Sequence, residues 1–168
     1  MNTGLYGTIW IAMVLLCAGE AGRRSLHGAR SSVTWAWWAF SCGALLCAIH
    51  IAIAMSVRYD WSHEAAVDAT ARQTLAVYGL NWGGGVYLNY GFVIVWIIDA
   101  WLWHRFPSRQ TRPAGAITWT TRAVFLVMIL NAAVIFAGGA RRGAGALIVL
   151  WLLWTWRPRR QIPIPPAV

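Results

Sequence analysis

Lysine is absent from this chain, and acids are scarce: the 168 residues carry fourteen basic side chains, all arginine, against five carboxylates. Only 11% of residues are charged and 59% are hydrophobic, where a soluble domain carries about 25% charge. So little charge, combined with apolar runs near bilayer length, excludes an ordinary soluble fold and points to an integral membrane protein. The length suits one bundle and leaves no room for a second domain. A net charge of +9 invites a nucleic-acid reading. The placement of the arginines argues against it, because most lie in short stretches between apolar runs, where they act as topology signals. No nucleic-acid partner is expected. Lysine's absence beside abundant Ala, Gly and Trp is read as a GC-rich genome.

Other absences narrow the chemistry. The three cysteines, Cys17, Cys42 and Cys47, lie inside apolar runs and form no CxxC pair. That excludes a disulfide framework or a zinc ribbon and leaves them as small packing residues. The first twenty residues have no positive leading region and no small-residue cleavage site, so a cleaved signal peptide is not expected. Leu16 before Cys17 is too large for a lipoprotein site. His63-Glu64 opens like the zinc protease motif HExxH, but Val67 stands where the second histidine is needed. There is no GxSxG elbow. The glycines at 83–85 lack the lysine of a phosphate-binding loop and read as a flexible, tight start to a membrane span.

What is present reads as an all-α polytopic transmembrane helix bundle. Five apolar runs, at about 4–20, 34–57, 84–104, 117–139 and 143–156, are the expected spans. The last is short, about 21 Å at 1.5 Å per residue. Small residues repeat every fourth position in the second span, at Ala44, Ala48 and Ala52 and again at Ala39, Gly43 and Cys47, which lets helices approach closely in lipid. Between spans two and three, Asp60, Glu64, Asp68 and Arg72 recur every fourth residue and make one charged stripe. This predicts a surface helix over 60–78 with Asp60 as its N-cap and Gly79 as its stop. GGARRGAG, from 138 to 145, reads as a turn-like break, and the proline-rich end IPIPPAV as irregular.

Nine arginines fall in loop 21–33, loop 105–116 and the tail, whereas loop 58–82 has two arginines against three acids. The positive-inside rule then puts the N-terminus outside and the C-terminus in the cytoplasm, in a bacterial inner membrane. Trp35, Trp37, Trp38, Trp101, Trp103, Trp119, Trp154 and Trp156 would all fall at the inner interface as an aromatic belt. Arg141 and Arg142 are the exception to the rule.

The stretch from His50 to Asp99 concentrates the chemistry, with four of the five acids and two of the four histidines. His50, Asn89 and Asn131 each lie roughly 7–12 Å below the outer surface on three different spans. They are read as an interhelical polar clamp, or alternatively as the floor of an outward-facing pocket near Tyr59, Tyr87 and Tyr90. Asp99 and Arg122 lie at matched depth near the cytoplasmic side, on spans joined by a short loop. They are expected to pair across that interface, with Arg122 reaching to the headgroups and Asp99 pairing with Arg24 or a water as the alternative. Glu20 can pair with Arg23 or Arg24 along its own helix.

The expected role is a non-catalytic subunit or assembly factor of a membrane complex, with the lipid bilayer and other membrane subunits as partners and no cofactor. A haem- or metal-binding redox protein using His50 and His63 is the alternative. A small oligomeric transporter is a third. Asp60, His63, Glu64 and Asp68 as a metal site is set against the simpler reading of a solvated helix face.

Overall fold

The computed structural model describes residues 3–25, 34–107 and 114–157. His27, Arg30, Arg109, Arg112, Arg159, Arg160 and the IPIPPAV end lie outside the described residues. Six α-helices follow in order: α1 (Thr3–Ser25), α2 (Thr34–Tyr59), α3 (His63–Tyr78), α4 (Gly85–Arg105), α5 (Ala116–Ile129) and α6 (Ala140–Thr155). A π-helical stretch, Leu130–Ile135, continues α5. No strand occurs among the described residues. Three segments, Trp35–Tyr59, Gly85–Arg105 and Ala116–Ile135, are long and apolar enough to cross a membrane.

The long helices run up and down. Thr8 at the start of α1 meets His50 near the end of α2, and Arg23 at the end of α1 meets Asp99 near the end of α4. The most intimate pair is α1 with α2, and small residues make it so. Gly19 lies against Phe40, Gly22 against Ala36, and Gly43 against Trp96 and the Ala12 carbonyl, each closer than a methyl group would permit. Among helices already in an apolar medium, close packing of this kind replaces the hydrophobic effect as the adhesive. The aromatic centre follows from it. Phe40, Phe92, Trp96 and Phe125 from α2, α4 and α5 meet with ring centroids 5.3–6.1 Å apart, in the range where tilted aromatic pairs attract.

Four expectations about the elements need correction. First, α1 does not stop at residue 20. It runs through Glu20, Arg23 and Arg24 to Ser25, so two arginines assigned to a loop are helical, and Arg23 is buried. Second, Asp60 is not the cap of the surface helix. Asp60 and Trp61 both have positive φ and form a tight corner, in which the Trp61 amide donates back to the Met55 carbonyl. The cap is Ser62, whose hydroxyl accepts from the Ala65 amide, and α3 begins at His63. Gly79 ends it in the left-handed conformation, as expected of a glycine stop. Third, the break before α6 is confined to residues 136–139, and Arg141 through Gly145 are already helical. Fourth, the tryptophan belt is not uniform. Trp103 and Trp156 are buried in the core, and Trp37 is half-buried with its indole donating to the Ala100 carbonyl, while Trp35, Trp38, Trp101, Trp119 and Trp154 are exposed.

The glycine triplet is required by contact. A methyl at Gly83 would strike Val67, one at Gly84 the Trp82 ring, and one at Gly85 the Thr70 methyl. The triplet therefore lets α3 lie down on the start of α4. At the far turn, Gly145 faces the Ala133 carbonyl with no space for a Cβ, whereas Gly143 on the same helix meets nothing within 4 Å. Gly145→Ala should therefore lose about 1–3 kcal/mol of stability through overpacking. Gly143→Ala should be neutral or gain about 0.5–1 kcal/mol through helix propensity. Thermal unfolding of the two variants in the same detergent checks the contrast; equal midpoints would refute the α5–α6 contact.

Candidate functional sites at the two ends of the bundle

The end formed by the last turns of α1, α4 and α6 and the first turn of α5 holds a buried ionic network. Arg23 is 5% exposed and Glu20 1%. One guanidinium nitrogen of Arg23, Nη1, lies 3.0 Å from Glu20 Oε1 and 2.8 Å from Asp99 Oδ2. The second Glu20 oxygen accepts from the Trp156 indole at 2.7 Å and stands 3.9 Å from Arg122 Nη2. Two carboxylates and two guanidiniums thus balance, and the group ties α1, α4, α5 and α6 together. The Arg23 guanidinium is sandwiched between the Phe40 and Trp103 rings, at 4.5 and 4.3 Å from their centroids. Its Nε and Nη2 have no hydrogen-bond partner, and the ring faces take that place through cation–π attraction. Arg122 lies between Trp119 and Trp156 in the same manner. Arg24 donates to the Trp154 and Thr155 carbonyls, closing the free end of α6.

The expected Asp99–Arg122 pair is therefore replaced. Asp99 pairs with Arg23, and Arg122 faces Glu20. Asp99 and Arg122 do join one network, but equal depth along the helices leaves rotation about the helix axis open, and Arg23 of α1 faces Asp99 directly. Glu20 and Arg23 do pair at i,i+3 as expected.

The opposite end is open. A cavity of about 280 Å³ is lined by His50, Asn89, Tyr59, Tyr90, Arg58 and Tyr6 among mostly apolar neighbours, and Ala66 and Thr70 of α3 close its side. A second cavity, about 240 Å³, adjoins it and shares Tyr6, Ile9, Met13, His50 and Ala132; its rim includes Arg141. His50 Nδ1 lies 3.1 Å from the Thr8 hydroxyl. Arg58 Nη2 donates to the Tyr6 hydroxyl at 3.2 Å, and the Arg141 guanidinium sits 4.6 Å from the centroid of the same ring.

The three clamp residues are divided. His50 and Asn89 share the cavity wall. Asn131 instead accepts from the Tyr78 hydroxyl at 2.6 Å and donates to the Val127 carbonyl at 2.8 Å, pinning the end of α3 to the π-helical stretch. Asn131 therefore serves as an anchor for the surface helix. His63 stands on the exposed side of α3, with Nε2 3.0 Å from the Tyr87 hydroxyl and its ring stacked on Tyr90. His63 is not part of the wall that holds His50. No group of three or more metal-ligating side chains occurs among the described residues.

Arg142 has a local structural role. Its Nε donates to the Val134 and Ala137 carbonyls, which lose their helical partners where α5 ends. Tyr6, Arg58 and Arg141 were not legible as a site, since they lie far apart in sequence on α1, α2 and α6. The one available signal was that Arg141, with Arg142, breaks the arginine asymmetry.

No protein-family model matches the chain, and neither a curated protein nor a solved structure is similar to it.

Removing one partner of a buried charge pair costs about 3–5 kcal/mol, because the other is left uncompensated. Arg23→Gln and Asp99→Asn should each destabilise by that order, and their double-mutant cycle should show coupling of about 0.5–3 kcal/mol. The cycle between Asp99→Asn and Arg122→Gln should give a smaller coupling. The reverse ranking, measured by unfolding in detergent, would restore the Asp99–Arg122 pair.

Proposed function

We propose that the chain is a five-span inner-membrane protein, N-terminus outside and C-terminus cytoplasmic, that acts as a non-catalytic subunit or assembly factor of a membrane complex. Three helices have the length and apolarity of spans. The 23 residues of α1 extend about 34 Å and the 16 of α6 about 24 Å. Both are packed into the same bundle, α1 along α2 and α6 through the Arg24 contacts, which supports counting them as the first and fifth spans. The short α6 suits a locally thinned or tilted span. On this reading α3 lies at the outer surface, with exposed Trp61 and Trp82 at headgroup level.

The observation that carries the non-catalytic reading is how the charged side chains are used. Glu20, Arg23, Asp99 and Arg122 neutralise one another in a closed network. The open cavities at the other end contain no carboxylate in their walls and are lined mostly by apolar side chains. Broad apolar faces remain for lipid or partner helices, among them Ile94, Ile97, Ile98 and Trp101 on α4 and Leu147, Leu150 and Leu153 on α6. The placements of His50 and His63 do not favour the redox alternative.

Reporter fusions after residue 80 and at the C-terminus should report opposite sides of the membrane; the same side for both would overturn the topology. The tagged protein, extracted in mild detergent, should copurify with a membrane protein in fixed stoichiometry. A partner-free preparation carrying a Soret band or stoichiometric metal would replace the subunit reading with the redox one.

A further inference from the structure

The two cavities at the α3 end carry a charge problem that their surroundings leave unsolved. Arg58 from the end of α2 and Arg141 from the start of α6 converge on one phenol, Tyr6. Tyr6 supplies a single hydroxyl and a ring face, and no negative charge. Among the described residues, which include all five acids of the chain, no carboxylate lies within ion-pair distance of either arginine, and none lines either cavity. Two like charges drawn to one spot repel, and an arrangement of that kind is favourable once an anion sits between them.

Each arginine could instead have had a structural reason to be at this end. Arg142 has one, since it caps the carbonyls that end α5. Arg58 lies in the last turn of α2, which suits a cation, but its guanidinium and that of Arg141 cap no carbonyl there among the described residues and turn to Tyr6 instead. The remaining walls are largely apolar, with Ile9, Met13, Ile51 and Met128, and the polar side chains among them are those of His50, Asn89, Tyr59, Tyr90 and Thr70. A cationic rim over an apolar interior matches an amphiphile with an anionic head. A guanidinium pair presents forked N–H donors that suit phosphate oxygens in particular. The volumes, about 280 and 240 Å³, hold a headgroup and the first part of a chain, and fall short of a whole lipid.

We propose that this end of the bundle is a binding site for the phosphate group of an anionic amphiphile, held by Arg58 and Arg141 across Tyr6, with its apolar part against Ile9, Met13 and Met128. His50, at the shared wall of both cavities, stands where it donates to the same headgroup from below. The site does not depend on whether the chain also binds a partner subunit, so it stands or falls separately from the subunit reading.

The test uses the full-length protein in a non-ionic detergent, with thermal unfolding followed as dioctanoyl phosphatidic acid, dioctanoylglycerol or glycerol 3-phosphate is added. The phosphatidic acid should raise the midpoint saturably, as expected for a ligand that binds only the folded state. The diacylglycerol should have little effect, and glycerol 3-phosphate should act only at far higher concentration. In R58Q/R141Q the apparent affinity should fall at least about tenfold, since charge-assisted hydrogen bonds are lost, whereas R105Q, at the other end of the bundle, should bind normally. An equal response to the diacylglycerol would overturn the phosphate assignment, and equal potency of glycerol 3-phosphate would overturn the amphiphile. If R58Q/R141Q does not fold, labelling of the wild type by a photoactivatable phosphatidic acid decides. Label on the segments 47–59 and 132–141, competed by unlabelled lipid, supports the site; uncompeted label spread over all lipid-facing helices sinks it.

Discussion

A guanidinium inside an apolar bundle has to be neutralised where it stands, and Arg23 determines much of how this chain folds. An isolated charge at the centre of a membrane helix costs about 2.5–3.5 kcal/mol on insertion scales. Arg23, in the last turn of α1, bears a smaller share of that cost and meets it with two carboxylates from α1 and α4 and with the faces of Phe40 and Trp103. Once Glu20 is committed to Arg23, its other oxygen is free to hold the Trp156 indole and to face Arg122. Four helices are thereby fixed in register by side chains that cannot be satisfied singly. Packing among lipid-embedded helices is otherwise nearly isotropic, so such a group supplies the specificity that Leu, Ile and Ala cannot. Replacing it all by well-packed apolar side chains would be tolerated better than removing one member.

The two ends of the bundle therefore differ in kind. At the network end, helix termini are closed by side chains, as Arg24 does for α6. At the other end, the chain spends several devices on placing one short amphipathic helix over open space. The corner at Asp60 and Trp61 has positive φ at two consecutive non-glycine residues, and such conformations cost on the order of 1–3 kcal/mol each. Three glycines then let α3 lie against α4, and Tyr78 ties its far end to Asn131. Asn131 lies within π-helical backbone, where the Phe136 amide donates to the Asn131 carbonyl five residues back. A π segment widens the helix locally and is frequent at functional positions. It contributes Ala132 and Ala133 to the cavity walls, while the strained turn and the glycine run adjoin the lining residues Tyr59 and Val86.

Composition and periodicity were enough to read the helical class, the position of each apolar helix to within a few residues, and the surface helix between α2 and α4. They sufficed for these because they depend on local pattern and length. The partners of polar residues were less legible. Rise per residue places Asp99 and Arg122 at one depth, but says nothing of which way each faces, so Arg23 was missed as the competitor. Arg23 itself was hidden because an apolar run was cut at its first charged residue, Glu20, although Glu20 and Arg23 neutralise each other and let the helix continue. Asp60 reads as a cap because it begins the charge stripe, while the actual turn needs residues able to take positive φ, a demand that Asp tolerates and Trp does not advertise. The tryptophans at one end divide into exposed and buried for a similar reason: interface propensity is a property of residue type, whereas burial depends on which way each faces, and Trp119 and Trp154 stay exposed although they too lie against arginines.

The same reasoning separates the arginines at the α3 end. A rule that counts charges treats Arg58, Arg141 and Arg142 alike, by the stretch in which each falls. Their contacts do not. Arg142 is consumed by backbone carbonyls of α5, in the position where a cation best complements a helix C-terminus. Arg58 and Arg141 are exposed, come from different helices, and meet only at a neutral phenol. A charge that stabilises the fold is recognisable by a partner that would suffer from its loss, as Glu20 and Asp99 would suffer from the loss of Arg23. Among the described residues, which include all five acids, neither Arg58 nor Arg141 faces a carboxylate. Arg58 on the wall of one cavity and Arg141 on the wall of the adjoining one, with Tyr6 shared between them, stand where the anionic ligand proposed for this end requires them.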